Sequence, residues 1–487
     1  MWGAVIAAFV LTQVAYAAGA VSMLVLFGRR SSPIVDEDTL ERVVTASDAP
    51  VERDRPVLEA DGGARKSGRD GRGARKNGPA IGPARAAAAD GNVAIDCRLP
   101  ESHVRPVHVL LPIYRERWAT LEGTLENVAS QRYPTDRIAV YVVYESHDED
   151  VPAVLAELAT DRDDELEVVP VEVDRDALAV DRSAVEWTFT GTGIPRTKAA
   201  ALTYAFTTLS LGPDDVVTVF DSDTRVPTDT FELAVAGLEE YDIVQAKQTA
   251  RNVDDGLLPT LESMGIAAWS DVIYPRSAAG PYQLLGKAYF LETRLLYELD
   301  RWQLDAVTED MALGVAAFER GCSLGVIDRY VQDLCPRSLH AWVGQKRRWV
   351  RGPYRHLRSP NWSRLERARC WSVTRLTQAL SVVNVVGIPA GLVVFLASLR
   401  GSVAVPTAVL PLVAANAVVW LVYTARSYRA AWSALSVDDR KDRLRYSLVS
   451  NPVTQALYAT LWVIPIVLAV CEVLRGHDPV FSVTPKD

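Results

Sequence analysis

Four stretches of the chain carry no charged residue: Met1–Phe27, Leu376–Leu399, Gly401–Ala425 and Tyr446–Cys471, of 27, 24, 25 and 26 residues. Each reaches the ~20 consecutive apolar residues that a helix needs to cross a bilayer. A purely soluble protein is thereby excluded. Most of the 487 residues lie outside these runs, which also excludes a transporter built mainly of membrane helices.

The first run is predicted to be an uncleaved membrane anchor over residues 1–27. Ala15-Tyr16-Ala17 resembles a cleavage site, but no basic segment precedes the apolar run, which is long and is followed directly by Arg29-Arg30. Those arginines place the end of the anchor in the cytoplasm. Residues 28–103 read as a disordered linker with few aromatics and a Gly/Arg-rich block from Gly62 to Gly78. Its basic part either touches anionic lipid or is a plain tether.

A folded cytoplasmic domain is expected over 104–358. A basic interfacial segment with interleaved aromatics follows at 359–375. Then come a transmembrane hairpin at 376–425 and a cytoplasmic basic loop at 426–445. The segment 446–474 is either transmembrane or interfacial and re-entrant, since Pro452 and Pro465 interrupt it. Residues 475–487 form a tail. The protein is thus expected in the cell membrane with several passes.

Within the folded domain, apolar strands are predicted at 107–111, 138–144 and 216–220, and helices at 116–131 and 197–208. This alternation argues for an α/β fold with a mostly parallel sheet covered by helices on both faces. Ligands of such sheets bind beyond the carboxyl ends of the strands. Five scattered cysteines offer neither a disulfide framework nor a zinc site. No basic, aromatic-interleaved nucleic-acid module is present, so no nucleic-acid partner is expected.

Several clusters carry chemistry. Asp221-Ser222-Asp223 ends an apolar strand, presenting carboxylates where hard divalent cations bind together with substrate phosphates; a loop acid is the alternative. Thr308-Glu309-Asp310 opens an apolar helix and reads either as a cap or as a general base. Gln345-Lys346-Arg347-Arg348-Trp349 offers a guanidinium for phosphate and an indole on which a sugar ring can stack, or else a lipid-surface anchor. Gly191 to Lys198 lacks the phosphate-loop spacing, although Lys198 opens a helix and can meet an anion there.

Taken in order, these clusters resemble the membrane-bound family 2 glycosyltransferases, the group of cellulose and hyaluronan synthases. Leu111-Pro112-Ile113-Tyr114-Arg115-Glu116 is similar to the opening strand end, and Pro195 to Leu202 to the T-K-x-x-A-L segment. Asp221-Ser222-Asp223 resembles the D-x-D, Thr308-Glu309-Asp310 the T-E-D, and Gln345 to Trp349 the Q-x-x-R-W. The resemblance covers Arg105 to about Arg358, plus the flanking membrane segments.

It implies a GT-A fold, Rossmann-like and nucleotide-sugar-binding, with a UDP-sugar donor and a glycan or lipid-linked acceptor. By carry-over, Tyr114, Glu116 and Glu145 serve the nucleoside, and Lys198 the base or diphosphate. Asp221 and Asp223 face the diphosphate with Mg²⁺ or Mn²⁺, Asp223 being the more direct ligand. Asp310 is the base, Arg348 holds the leaving diphosphate, and Glu309, Gln345 and Trp349 bind the acceptor. A single displacement would invert the anomeric carbon.

Two departures stand out: Glu145 replaces the usual acid pair after the second strand, and Thr203 replaces an asparagine. Phe481 to Lys486 resembles a gating loop with Thr484 near phosphate, which needs a cytoplasmic tail and so favours three full spans. The product is either a processively extended β-polysaccharide or a singly glycosylated lipid-linked acceptor. A catalytically silent membrane scaffold or export component is a further alternative, disfavoured by the intact acids.

Overall fold

The computed structural model describes residues 2–27, 33–46, 97–114, 116–145, 148, 151–160, 166–173, 197–278, 280–304, 306, 308–352, 362–435, 440–449 and 451–475. The chain begins with helix α1 (Trp2–Phe27), strand β1 (Ile34–Val35) and helix α2 (Glu37–Ala46). The first half of the central sheet follows as β2 (Val107–Pro112), α3 (Trp118–Ala129), β3 (Ile138–Glu145), α4 (Val151–Thr160) and β4 (Glu167–Val173). Next come α5 (Lys198–Thr208), β5 (Val216–Val219), α6 (Thr230–Gly237), β6 (Ile243–Ala250), α7 (Leu257–Ala268) and α8 (Tyr274–Ser277). The domain closes with β7 (Tyr289–Glu292), α9 (Thr293–Glu298), α10 (Glu309–Glu319), β8 (Leu324–Asp333) and α11 (Leu339–Arg351).

The eight strands form one sheet in the order β1-β8-β6-β7-β5-β2-β3-β4. All neighbours are parallel except β7, which runs antiparallel to both β5 and β6. The sheet is therefore mixed, but mostly parallel as expected. Val107, Val109 and Leu111 face one apolar layer with α3 and α6, and Leu110 faces the other with α5 and α10. That alternation is the period-two pattern of a strand covered on both sides.

The expected linker over 28–103 needs correction. Pro33–Ala46 belongs to the folded domain. Strand β1 pairs with β8 at the sheet edge, and Val35, Leu40 and Val43 are buried in the same apolar layer as the central strands. Glu37 pairs with Arg329 and with Arg98 at 2.5 Å each, tying α2 to residues that follow position 96. Leu99 is buried in this layer as well. Residues 47–96 lie outside the described residues.

After α11 come α12 (Arg364–Trp371), α13 (Thr377–Leu399), α14 (Leu410–Ser433), α15 (Arg440–Val449), α16 (Pro452–Leu461) and α17 (Val463–Leu474). Helix α14 runs on to Ser433, so the start of the expected basic loop at 426–445 is helical. Among the described residues, four helical stretches are long and apolar enough to cross a membrane: Trp2–Phe27, Gln378–Leu399, Thr407–Ser433 and Pro452–Leu474. Helix α1 packs chiefly on α13 and also on α14. Asn416 donates to the Gln13 carbonyl at 2.8 Å, and Tyr16 hydrogen-bonds Asn384. Such polar pairs hold helices together where lipid supplies no hydrophobic drive. The last apolar stretch is broken at Trp462 into α16 and α17, which pack on α7 and α11 of the folded domain.

Candidate active site

Parallel strands bring their carboxyl ends to one edge, and the predicted residues collect there. Tyr114 follows β2, Glu145 ends β3, Asp221 follows β5 and Asp333 ends β8. Because β7 runs the other way, it is its beginning that reaches this edge. The Ala288 N–H donates to the Val219 carbonyl at 2.8 Å, which sets Lys287 beside Asp221.

Helix α5 starts where Thr197 caps it, accepting the Ala200 N–H at 3.1 Å. The next residue, Lys198, reaches Asp221 at 2.6 Å and Glu309 at 3.6 Å. Lys287 pairs with the other oxygen of Asp221 at 3.0 Å and also with Asp333. The result is an alternating chain of charges, Glu309–Lys198–Asp221–Lys287–Asp333. The local sequence pattern singled out neither Lys287 nor Asp333. Burial opposes the charge of both lysines, and the carboxylates around them more than restore it, so both ammonium groups lie above their ordinary range.

Asp310 stands in the first turn of α10. Thr308 stands at the N-cap without a capping side-chain bond, and the Asp310 carboxylate takes backbone N–H bonds of the first turn instead. Burial first, and then the neighbouring Glu309, raise the Asp310 carboxyl to about 7, against the pull of the Met311 amide and Lys198. Gly286, with φ +80°, lets the backbone pass closely: a Cβ there would lie 3.0 Å from the Asp310 Oδ2.

Helix α11 presents Gln345, Arg348 and Trp349 to the same cavity, at the i, i+3, i+4 spacing of one helix face. Burial pulls the Arg348 guanidinium down, while Glu309, Asp221 and Asp310 support its charge.

The cavity measures about 1720 Å³. Tyr114, Glu116, Glu145, Lys198, Asp221, Glu309, Asp310 and the three α11 residues all line it. It continues between the apolar helices, past Tyr16, Asn384, Asn416, Trp420 and Tyr423. Asp223 is absent from the lining. It is 1% exposed and accepts the Leu334 N–H at 2.9 Å. Asp221 and Asp333, like Glu145, face the cavity at this edge, and Asp223 does not.

Among the described residues no three His, Cys, Asp or Glu side chains stand together as a metal cage. Magnesium-type ions are held by one or two carboxylates plus substrate phosphates. Asp221 and Asp333, which both face the cavity, fit that simpler donor set, and Asp223 does not. Thr484, Arg115 and the Gly191–Arg196 segment lie outside the described residues.

The model of glycosyl transferase family group 2 matches residues 216–468, just over half of the chain. A probable glucomannan 4-beta-mannosyltransferase 14 of Arabidopsis thaliana is 28% identical over 145 residues, which are 28% of this chain and 27% of that relative. The mannosyltransferase PcManGT of Pyrobaculum calidifontis, solved with GDP-Man and Mn²⁺, is similar at 19% identity and TM-score 0.44 over 74% of this chain and 87% of its own. S. aureus TarS 1–349, solved with UDP-GlcNAc, gives 13% identity and TM-score 0.33 over 78% and 99%. With the family match spanning β5 to α17 and the acids at the sheet's carboxyl edge, the chain belongs to glycosyl transferase family 2 and is a membrane-helix-bearing glycosyltransferase of GT-A fold.

Proposed function

We propose that the protein transfers a hexosyl group, with inversion, from a nucleotide-sugar to an acceptor that enters along the membrane helices. The observation that carries this reading is the gathering of Lys198, Asp221, Lys287, Asp310, Arg348 and Trp349 around one cavity that extends between α1, α13 and α14. Asp310 takes the proton of the acceptor hydroxyl, whose oxygen bonds to the anomeric carbon as the bond to the diphosphate breaks. A carboxyl near 7 is matched to that task. Lys198, Lys287 and Arg348 meet the negative charge that gathers on the departing diphosphate. Trp349 offers the acceptor sugar a flat face. Mg²⁺ or Mn²⁺ held by Asp221 and Asp333, the acids that face the cavity beside Lys287, would add Lewis-acid stabilisation of the same diphosphate when bound.

We assign the catalytic domain to the cytoplasm, on the side of Arg29-Arg30 and the basic residues of 359–375. The plant relative's printed activity makes mannosyl transfer into a β-linked polymer the first product to test. A single transfer to a lipid-linked acceptor is the second, favoured by the apolar lining that Leu24, Ile388 and Val419 give the cavity. Purified full-length protein offered GDP-mannose and a panel of UDP-hexoses decides among donors, and the length of the labelled product decides between polymer and single transfer. Asp310→Asn abolishes transfer while donor binding persists; unchanged turnover in that variant overturns the base assignment.

A further inference from the structure

The α11 residues that face the cavity are held from behind by a buried ion pair that the transfer chemistry does not use. Lys346, on the flank of α11 next to Gln345 and Trp349, and Glu262, on α7, are both 0% exposed and paired with each other. The Glu262 carboxylate also accepts the Trp342 Nε1–H at 2.5 Å and the Tyr458 hydroxyl at 2.6 Å. Removing two charges from water is costly, and well-packed apolar side chains of similar volume often serve stability as well or better. Packing alone is therefore a poor reason for this pair.

Lys346 touches two of the acceptor-side residues. Its ammonium donates to Gln345 Oε1 at 3.0 Å and lies 3.5 Å from the centre of the Trp349 ring. An amide whose oxygen is held in this way has its NH₂ group directed by the same contact. An indole with a cation on one face is fixed in plane and keeps its other face for a ligand. Burial pulls the Lys346 ammonium below its ordinary range, and Glu262 is the largest influence keeping it charged.

We propose that Glu262 is a positioning residue for the acceptor. It anchors Lys346, and through it the orientation of Gln345 and Trp349, while Tyr458 makes that anchor depend on the seating of α16. The acceptor role rests on the transferase reading above. The geometric linkage from Glu262 to Trp349 does not, and the two are separable by experiment.

The full-length chain in lipid nanodiscs, labelled with 5-fluorotryptophan, gives a ¹⁹F signal for Trp349 that its loss in Trp349→Phe identifies. Glu262→Gln keeps shape and one acceptor oxygen for Trp342 and Tyr458 but removes the charge that faces Lys346, and is expected to shift or broaden that signal. Tyr458→Phe, a gentler change, shifts it in the same direction and serves if Glu262→Gln does not fold. With GDP-mannose as donor and mannotriose as probe acceptor, Glu262→Gln lowers transfer relative to donor hydrolysis by about tenfold at unchanged donor KM.

A purely structural pair predicts otherwise: Glu262→Gln combined with Lys346→Met would restore melting temperature and transfer together. Under the proposal the double variant regains melting temperature and not the transfer-to-hydrolysis ratio. A Trp349 signal unmoved in both single variants, or a ratio restored in the double variant, overturns the proposal. A wild-type protein that turns over no donor in the panel overturns the transferase reading instead.

Discussion

At the scale of single residues, the proposed base role makes Asp310 the group that sets the pH dependence. Its folded-state carboxyl lies near 7, above the ordinary value of 3.8, because burial and Glu309 penalise its charge. As a base it is competent only when deprotonated, so kcat/KM is expected to rise with pH through about 7 with the slope of a single proton. Stability moves the other way. Between 3.8 and about 7 the folded chain keeps a proton that the unfolded chain has lost, so stability falls as pH rises through that window. Asp310→Asn therefore raises the melting temperature at pH 8 while abolishing transfer; a variant no more stable there than wild type contradicts the burial argument. Gly286→Ala is the companion test. The methyl adds left-handed backbone strain and lies 3.0 Å from Asp310 Oδ2. Relieving that contact moves the carboxylate by a few tenths of an ångström, and since a shift of about 1 Å costs about a hundredfold, kcat is expected to fall by about three- to tenfold, read against an unchanged donor affinity. Asp221, Asp310 and Arg348 could be singled out as candidates from sequence because the first follows an apolar strand, the second opens an apolar helix and the third sits in a cationic, aromatic turn of one helix. Lys287 was not. It precedes the short strand Tyr289–Glu292, and only the reversed direction of that strand carries it to the catalytic edge. A single antiparallel strand in a parallel sheet leaves no local periodicity to read.

At the scale of elements, the same reasoning explains why β1 and α2 were read as linker. Strand β1 is two residues long, and α2 is a ten-residue helix whose apolar stripe is Leu40, Val43 and Val44. Low-complexity sequence on the C-terminal side hides so short a pattern. What secures them is tertiary: Val35 is fully buried, with its methyl groups filling the space left by Gly237 and Gly325. Burying one valine contributes roughly 1.5–3 kcal/mol, and an uncompensated carboxylate in its place is far worse. Val35→Asp is expected to destabilise the catalytic domain by at least about 3 kcal/mol, measured by urea unfolding of the full chain. A melting curve unchanged from wild type would mean that this segment is a tether after all. The central strands needed no such tertiary information, since 107–111, 138–144 and 216–220 are continuous apolar runs of the kind that parallel sheets bury on both faces.

At the scale of the whole molecule, the catalytic cavity and the membrane helices form one enclosure. Helix α13 has 23 residues, and at 1.5 Å per residue it spans the ~30 Å hydrocarbon core with little to spare. The cavity passes from the acids at the sheet edge to Asn416 and Ala417 on α14 and Asn384 on α13. Polar side chains at these depths are costly unless they pair with one another or serve a ligand. Asn416 does pair, with Gln13 on α1, which keeps α1 and α14 at a fixed spacing along the cavity wall. If the acceptor or product lies along this wall, narrowing it must affect transfer without touching the chemistry. Ala417→Trp does so: it adds an indole beside Asn416 and leaves Asp221, Asp310 and Arg348 as they are. Donor hydrolysis by water should persist at the wild-type rate, while transfer to the acceptor falls by tenfold or more (about 1.4 kcal/mol) and any polymer shortens. Ala415→Trp, on the same helix and outside the cavity lining, controls for the cost of a bulky residue on a membrane helix. Equal transfer in the two variants would mean that the acceptor reaches Asp310 from the aqueous side, and that the membrane helices anchor the enzyme without guiding its substrate.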